Sequence, residues 1–147
     1  MTSSIGKYAL TYSGSPVYTL TTSLVASDVL AVKFSKLANI FSYYTPGAGG
    51  TGNSLYFEVE VNPFNASEDP SGLYWSPVGE FIDSTGTWTE EPANFNSAAG
   101  TASTQKNVVP LDLTSLAVAQ VRVKAKETVV GGAAGTVKFV VTTNTIN

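Results

Sequence analysis

Apolar and polar residues alternate with a period of two through most of the chain, and no window of helical length keeps an i, i+3, i+4 apolar repeat. The clearest stretch is LYFEVEV, residues 55–61: as a strand it sends Leu55, Phe57, Val59 and Val61 to one face and Tyr56, Glu58 and Glu60 to the other. The stretch QVRVKAKE, residues 120–127, within a strand predicted over 118–127, repeats the pattern with cations, placing Arg122, Lys124 and Lys126 opposite Val121, Val123 and Ala125. Further strands are predicted over 7–12, 17–25, 29–34, 39–45, 73–82, 108–113 and 136–144, with a short one around Trp88 and a single helical turn from Leu113 to Leu116. Pro77 predicts an edge position or a bulge for its strand.

Between these runs lie turn signals: Ser13-Gly14-Ser15-Pro16, the glycine-rich GAGGTGN at 47–53 read as a hairpin-type loop, the connecting loop 62–72, and VVGGAAG ahead of a terminal hairpin. Eight to ten short strands spaced this way predict an all-β, antiparallel β-sandwich, jelly-roll-like or immunoglobulin-like, with a closed barrel as the alternative. The expected core is Leu10, Val17, Leu20, Val32, Phe34, Ile40, Leu55, Phe57, Val59, Trp75, Phe81, Val121, Val123, Val137, Phe139 and Val141. No segment is copied at a fixed period.

Length and composition narrow this picture. The 147 residues suit one domain, 1–147, with a sizeable core. Charged residues are 13% and hydrophobic residues 43%, so the surface is expected to be hydroxylic rather than ionic. A net charge of −3 provides no global attraction to nucleic acid or to an anionic membrane. The first twenty residues lack a basic leader followed by an apolar run, so no secretory signal is predicted, and no stretch approaches the roughly 18 apolar residues of a membrane span.

The chain contains neither cysteine nor histidine. That removes disulfides, thiolate and imidazole metal sites, and the serine–histidine and cysteine–histidine nucleophile systems. Paired carboxylates are the remaining route to catalysis, as in a glycosidase, with Glu58 and Glu60 or Glu90 and Glu91 as candidates. Alternating glutamates on a strand also read simply as its wet face, and no enzyme is expected. GAGGTGN is followed by neither Gly-Lys-Ser/Thr nor a helix, which makes it a turn rather than a phosphate loop. NASEDPSG carries oxygen ligands for calcium without a regular spacing and reads as a turn capped at Asp69-Pro70. No cofactor or metal is expected. Asn65-Ala66-Ser67 fits a glycosylation acceptor, which without a secretory signal is read as accidental.

The three cations at 122–126 admit three readings: a solvated sheet face, a charge contact between subunits, or a phosphate stripe. The last is weakest, because aliphatic rather than aromatic residues lie between them and the sequence pI is near 4.8. Their period matches that of Tyr56, Glu58 and Glu60, so the two stripes are able to pair across neighbouring strands or across an interface. Tyr43, Tyr44, Tyr56, Tyr74, Trp75 and Trp88 form a candidate sugar-stacking platform, with Tyr74 and Trp75 on opposite faces by alternation and the tryptophans read first as core; Tyr43, Tyr44 and Trp88 are the basis of an alternative reading as a carbohydrate-binding or adhesin-like module.

LYFEVEVNPF with the following YWSPVGEF, and the ending VAQVRVKAKETVVGGAAGTVKFVVTTN, resemble the small β-sandwich structural proteins of tailed bacteriophages, covering about the C-terminal two thirds of the chain. The resemblance implies a non-enzymatic capsid decoration or cement protein, made in the host cytoplasm and located on the virion. Its implied partner is the major capsid protein, and its implied state a homo-oligomer, with a trimer favoured and neither nucleic acid nor membrane bound. Expected contacts are an N-terminal arm at 1–16, the irregular segment 83–107 with Trp88 and Phe95, and the charged set Glu58, Glu60, Arg122, Lys124 and Lys126.

Overall fold

The computed structural model describes residues 3–32, 35–49, 53–79, 105–113, 118–128 and 131–146. Within them the strands are β1 (Ser3–Leu10), β2 (Tyr18–Thr19), β3 (Val25–Ala26), β4 (Leu30–Ala31), β5 (Leu37–Thr45), β6 (Ser54–Asn62), β7 (Ser76–Gly79), β8 (Gln105–Asp112), β9 (Gln120–Thr128) and β10 (Thr136–Ile146). They form two five-stranded antiparallel sheets. The first has the order β1, β10, β5, β8, with β2 pairing the start of β10; the second has the order β3, β9, β6, β7, with β4 pairing β9. No ladder joins the two sheets among the described residues, so the architecture is a β-sandwich rather than a closed barrel.

Alternation explains the core. Ile40 and Tyr44 of β5, Val109 and Leu111 of β8, and Val137, Phe139 and Val141 of β10 point inward from the first sheet. Leu55, Phe57, Val59 and Val61 of β6 meet them with Val121, Val123 and Ala125 of β9. Phe57 and Phe139 cross the interface edge to face, with centroids 5.2 Å apart. Truncating either ring to alanine removes a contact shared by both sheets, at a cost of about 3–5 kcal/mol.

Two expected core positions are corrected. Val17 is 50% exposed, because the predicted strand 17–25 breaks into β2 and β3; Tyr18 instead turns toward the core and stacks on buried Tyr12 at 4.0 Å. Trp75 is half-buried on the outer face of the second sheet, since 73–75 belongs to a loop and strand pairing resumes only at Ser76. Phe34, Phe81, Trp88 and the Leu113–Leu116 turn beyond Leu113 lie outside the described residues. Pro77 sits where its sequence placed it, in a strand that among the described residues pairs only with β6, at the edge of the sheet, and shifts register between Val59 and Glu60. Residues 3–10, inside the segment expected to reach out as an arm, are hydrogen-bonded along β10 as β1. Residues 105–107, placed by the sequence in the irregular segment, begin β8.

Neither glycine-rich loop closes a hairpin. β5 and β6 belong to different sheets, as do β9 and β10, so both loops cross between the sheets at one end of the sandwich. They run side by side there. The Ala133 amide donates to the Ala48 carbonyl at 3.0 Å, and a Cβ on Gly47 would overlap the backbone of Ala133 and Ala134. Close backbone approach, rather than phosphate binding, is what requires glycine at 47.

Candidate partner-binding surface

The outer face of the second sheet carries the charged residues that the sequence singled out. The register of β6 on β9 places Tyr56 opposite Lys126, Glu58 opposite Lys124 and Glu60 opposite Arg122. Glu60 is the hub. Its Oε2 accepts from Arg122 Nη2 at 2.8 Å and Nε at 3.1 Å, and its Oε1 lies 3.3 Å from Lys124 Nζ. Glu58 accepts from the Tyr56 hydroxyl at 2.9 Å, and Lys126 Nζ sits 5.2 Å from the Tyr56 ring centroid. The pairing that the matched periods allowed across neighbouring strands is therefore made within one chain, and every cation of the stripe has a partner on β6.

This face is drier than a solvated stripe. Glu60 is only 5% exposed, and Trp75 lies over the Arg122 guanidinium at 4.3 Å from its ring centroid. A guanidinium sandwiched between a carboxylate and an indole is held by charge, by two hydrogen bonds and by the ring quadrupole together. Both glutamates of the pair are engaged by neighbours on the sheet, and the other candidate pair, Glu90 and Glu91, lies outside the described residues.

Next to Trp75, residues 63–75 form a loop braced from below by buried polar side chains. Asn62 Nδ2 donates to Asp69 Oδ2 at 2.8 Å, while Asn62 Oδ1 accepts from the Phe64 amide at 2.9 Å. Asp69 also accepts from the amides of Leu73 at 2.9 Å and Tyr74 at 3.1 Å. Gln120 of β9 donates to the Phe64 carbonyl at 2.6 Å. Burial alone would raise the Asp69 carboxyl; the hydrogen bonds from Asn62 and from the amides of Leu73, Tyr74 and Gly72 outweigh it and hold the group below the usual carboxylate range. Asn65 folds the near end of the loop, its Oδ1 accepting from the Ser67 amide and hydroxyl and from the Glu68 amide. The capped turn expected at Asp69 is thus present.

What this bracing presents is apolar. Leu73 is 76% exposed and Tyr74 54%, and Phe64 packs edge to face on Tyr74 at 4.9 Å. A braced knob of Phe64, Leu73 and Tyr74 stands beside a cluster in which Glu58 and Glu60 meet Arg122, Lys124 and Lys126. Aromatic residues and arginine on a pre-ordered backbone are the composition of interface anchors.

No protein-family model matches the sequence, and no curated protein matches it. By fold the chain is similar to a chain of the T13 particle of infectious bursal disease virus, with a TM-score of 0.55 and 8% identity over 96% of this chain and 31% of that one. It is similar to a chain of the Gx strain of infectious bursal disease virus as well, with a TM-score of 0.56 and 9% identity over 99% of this chain and 33% of that one. The SPBc2 prophage-derived protein YomS aligns with a TM-score of 0.44 and 10% identity, covering 97% of this chain and 96% of that one. The chain spans about a third of the length of the viral chains it matches. At such identities the likeness is one of fold, an antiparallel sandwich.

Of the residues expected to contact a partner, the structure brings Glu58, Glu60, Arg122, Lys124 and Lys126 together on one face; Trp88 and Phe95 lie outside the described residues. The sugar-stacking set does not assemble from Tyr43 and Tyr44. Tyr44 is fully buried, because it shares the inward parity of Ile40 on β5, while Tyr43 faces out. Sequence reasoning named Tyr74 only among the sugar-stacking candidates and missed the rest of the knob and its supports. The signal for Asn62 and Gln120 is weak, because both continue the outward-facing parity of their strands and are buried only by the loop that folds over them. Among the described residues no group of acids forms a metal site.

Proposed function

We propose that this protein is a non-enzymatic virion structural protein, a decoration or cement module that seats on the outer face of a phage capsid shell and stabilises it. The observation that carries the reading is the braced loop 63–75. Asn62, Asp69 and Gln120 hold its backbone in place, yet its most prominent side chains, Leu73 and Tyr74, remain in water. A pre-ordered apolar knob loses little conformational entropy on docking, so most of its buried area counts toward affinity. The fold shared with chains of infectious bursal disease virus particles supports a place in a virion. The partner in this reading is the major capsid protein, engaged by a homo-oligomer, a trimer by the family resemblance.

The test mixes purified protein with capsid shells that lack it and follows co-sedimentation and shell melting. Wild-type protein is expected to bind and to raise the shell's melting temperature. Leu73→Ser and Tyr74→Ser should abolish binding without unfolding the protein, while Val17→Ser, at an exposed apolar position elsewhere, should not. Shells that never retain the wild-type protein, or that retain the knob variants equally well, overturn the proposal.

A further inference from the structure

The outer face of the first sheet is built differently from that of the second. Register aligns three rows across it: Lys7, Thr142, Asn39 and Pro110; then Ala9, Val140, Phe41 and Val108; then Lys138, Tyr43 and Lys106. The middle row is apolar through all four strands. Beside it, Phe41, Tyr43, Lys106 and Val108 line a shallow hollow of about 380 Å³. Tyr43 lies between two lysines on the strands either side of it.

Charge separates the two faces. On the second sheet each outward cation meets an acid or an aromatic ring of β6. On the first sheet Lys7, Lys106 and Lys138 are exposed and make no ion pair with a described side chain; Asp112, which shares the strand parity of Lys106, lies at the opposite end of β8. Among the described side chains, the cations of the second sheet are engaged by β6 and those of the first sheet are not engaged by an acid.

We infer that the outer face of the first sheet docks a second protein surface of complementary chemistry, with an apolar centre for the row through Phe41 and carboxylates at the border for Lys7, Lys106 and Lys138. A second copy stacked face to face is disfavoured, since it would set the same cations against one another. A nucleic-acid strand fits poorly. Lys106 and Lys138 stand two strand spacings apart, roughly 10 Å, and the chain's net charge is −3. This surface is separate from the knob at 63–75 and stands or falls independently of it, so a protein using both would bridge two neighbours.

The probe is a fluorescent synthetic peptide alternating glutamate and leucine, with a thymidine homopolymer as the competing class, followed by anisotropy against the intact protein. The peptide is expected to bind more tightly at low salt than at high salt, and the homopolymer not to bind. Lys106→Glu with Lys138→Glu, and separately Phe41→Ser, should each weaken peptide binding by about tenfold or more, the scale of losing a charged rim or an apolar anchor. Lys106 and Lys138 are exposed and Phe41 is half-buried, so the melting curve of the lysine variant should be close to wild type, showing that its loss is not unfolding. Leu73→Ser should leave peptide binding unchanged, which keeps a failure here distinct from a failure of shell binding. Absence of peptide binding, peptide binding indifferent to the three substitutions, or tighter binding of the homopolymer each overturns the inference.

Discussion

The Tyr44 hydroxyl donates to the Glu127 carboxylate across the interior of the sandwich, joining β5 of one sheet to β9 of the other. Glu127 is 1% exposed and also accepts from the Gly135 amide, at 3.0 Å and 3.1 Å to its two oxygens. A carboxylate this dry is tolerated only because donors surround it. It lies where the chain crosses from β9 to β10, so it ties that crossover to both sheets.

Tyr44→Phe removes one of these donors while keeping the ring. The unfolding free energy is expected to fall by about 1–3 kcal/mol, the cost of leaving a buried polar group short of a partner. Chemical denaturation of Tyr44→Phe, Glu127→Gln and the double variant checks it. A coupling energy above about 0.5 kcal/mol is expected, and strict additivity would show that the contact contributes nothing.

Gly135 is required by space. A Cβ there would sit 2.8 Å from both the Thr45 carbonyl oxygen and the Tyr44 ring, and closer still to Glu127. Gly135→Ala should therefore destabilise by about 1–3 kcal/mol, the usual scale of overpacking. Gly131→Ala, four residues earlier, meets nothing within 4 Å and should melt at or slightly above the wild-type temperature.

Glu60 serves two cations, so its loss should exceed that of Glu58. Glu60→Ala removes the ion-pair partner of both Arg122 and Lys124 and is expected to cost about 1.5–3 kcal/mol. Glu58→Ala, which removes only an acceptor for Tyr56 on its own strand, should cost about 1 kcal/mol or less. Thermal melts of the two variants at low and high salt distinguish them, and equal losses would contradict the hub role of Glu60.

Stability should fall at both ends of the pH scale. Burial first, then the neighbouring Glu127 for Tyr44 and Tyr18 for Tyr12, raise both phenols well above the ordinary tyrosine value of 10. Groups raised on folding contribute fully below that value, and their contribution declines as pH climbs past about 10, by about 1.4 kcal/mol per pH unit for each phenol. Tyr12→Phe and Tyr44→Phe together should flatten the alkaline limb of a stability–pH curve. Asp69 is depressed, and so is Asp28, whose carboxyl accepts from the Thr11 hydroxyl and the Gly14 amide. Their contribution is present above the ordinary carboxylate range and is lost as pH falls through their lowered values. Hydrogen-exchange protection factors at the Leu73 and Tyr74 amides, corrected for intrinsic rate, should fall in acid before those of the core.

Period-two alternation determined most of this protein by itself: an all-β chain, the two long strands at 54–62 and 120–128, their buried faces, and the edge role of Pro77. The burial of Tyr44 and Glu127 obeys the same alternation, each continuing the buried positions of its strand, although by sequence Tyr44 is a sugar-stacking candidate and neither is among the expected core residues. Which strands neighbour one another was decided only in three dimensions. Alternation is blind to sheet membership, so two loops read as hairpins proved to be crossings between sheets. The pairing of the acidic and cationic stripes within one chain follows from β6 lying beside β9, a long-range choice made by burying Phe57 and Val123 on the same interior. The knob at 63–75 depends on the same choice. Asn62 and Gln120 brace it only because that register sets them side by side under the loop, where buried polar groups must find partners.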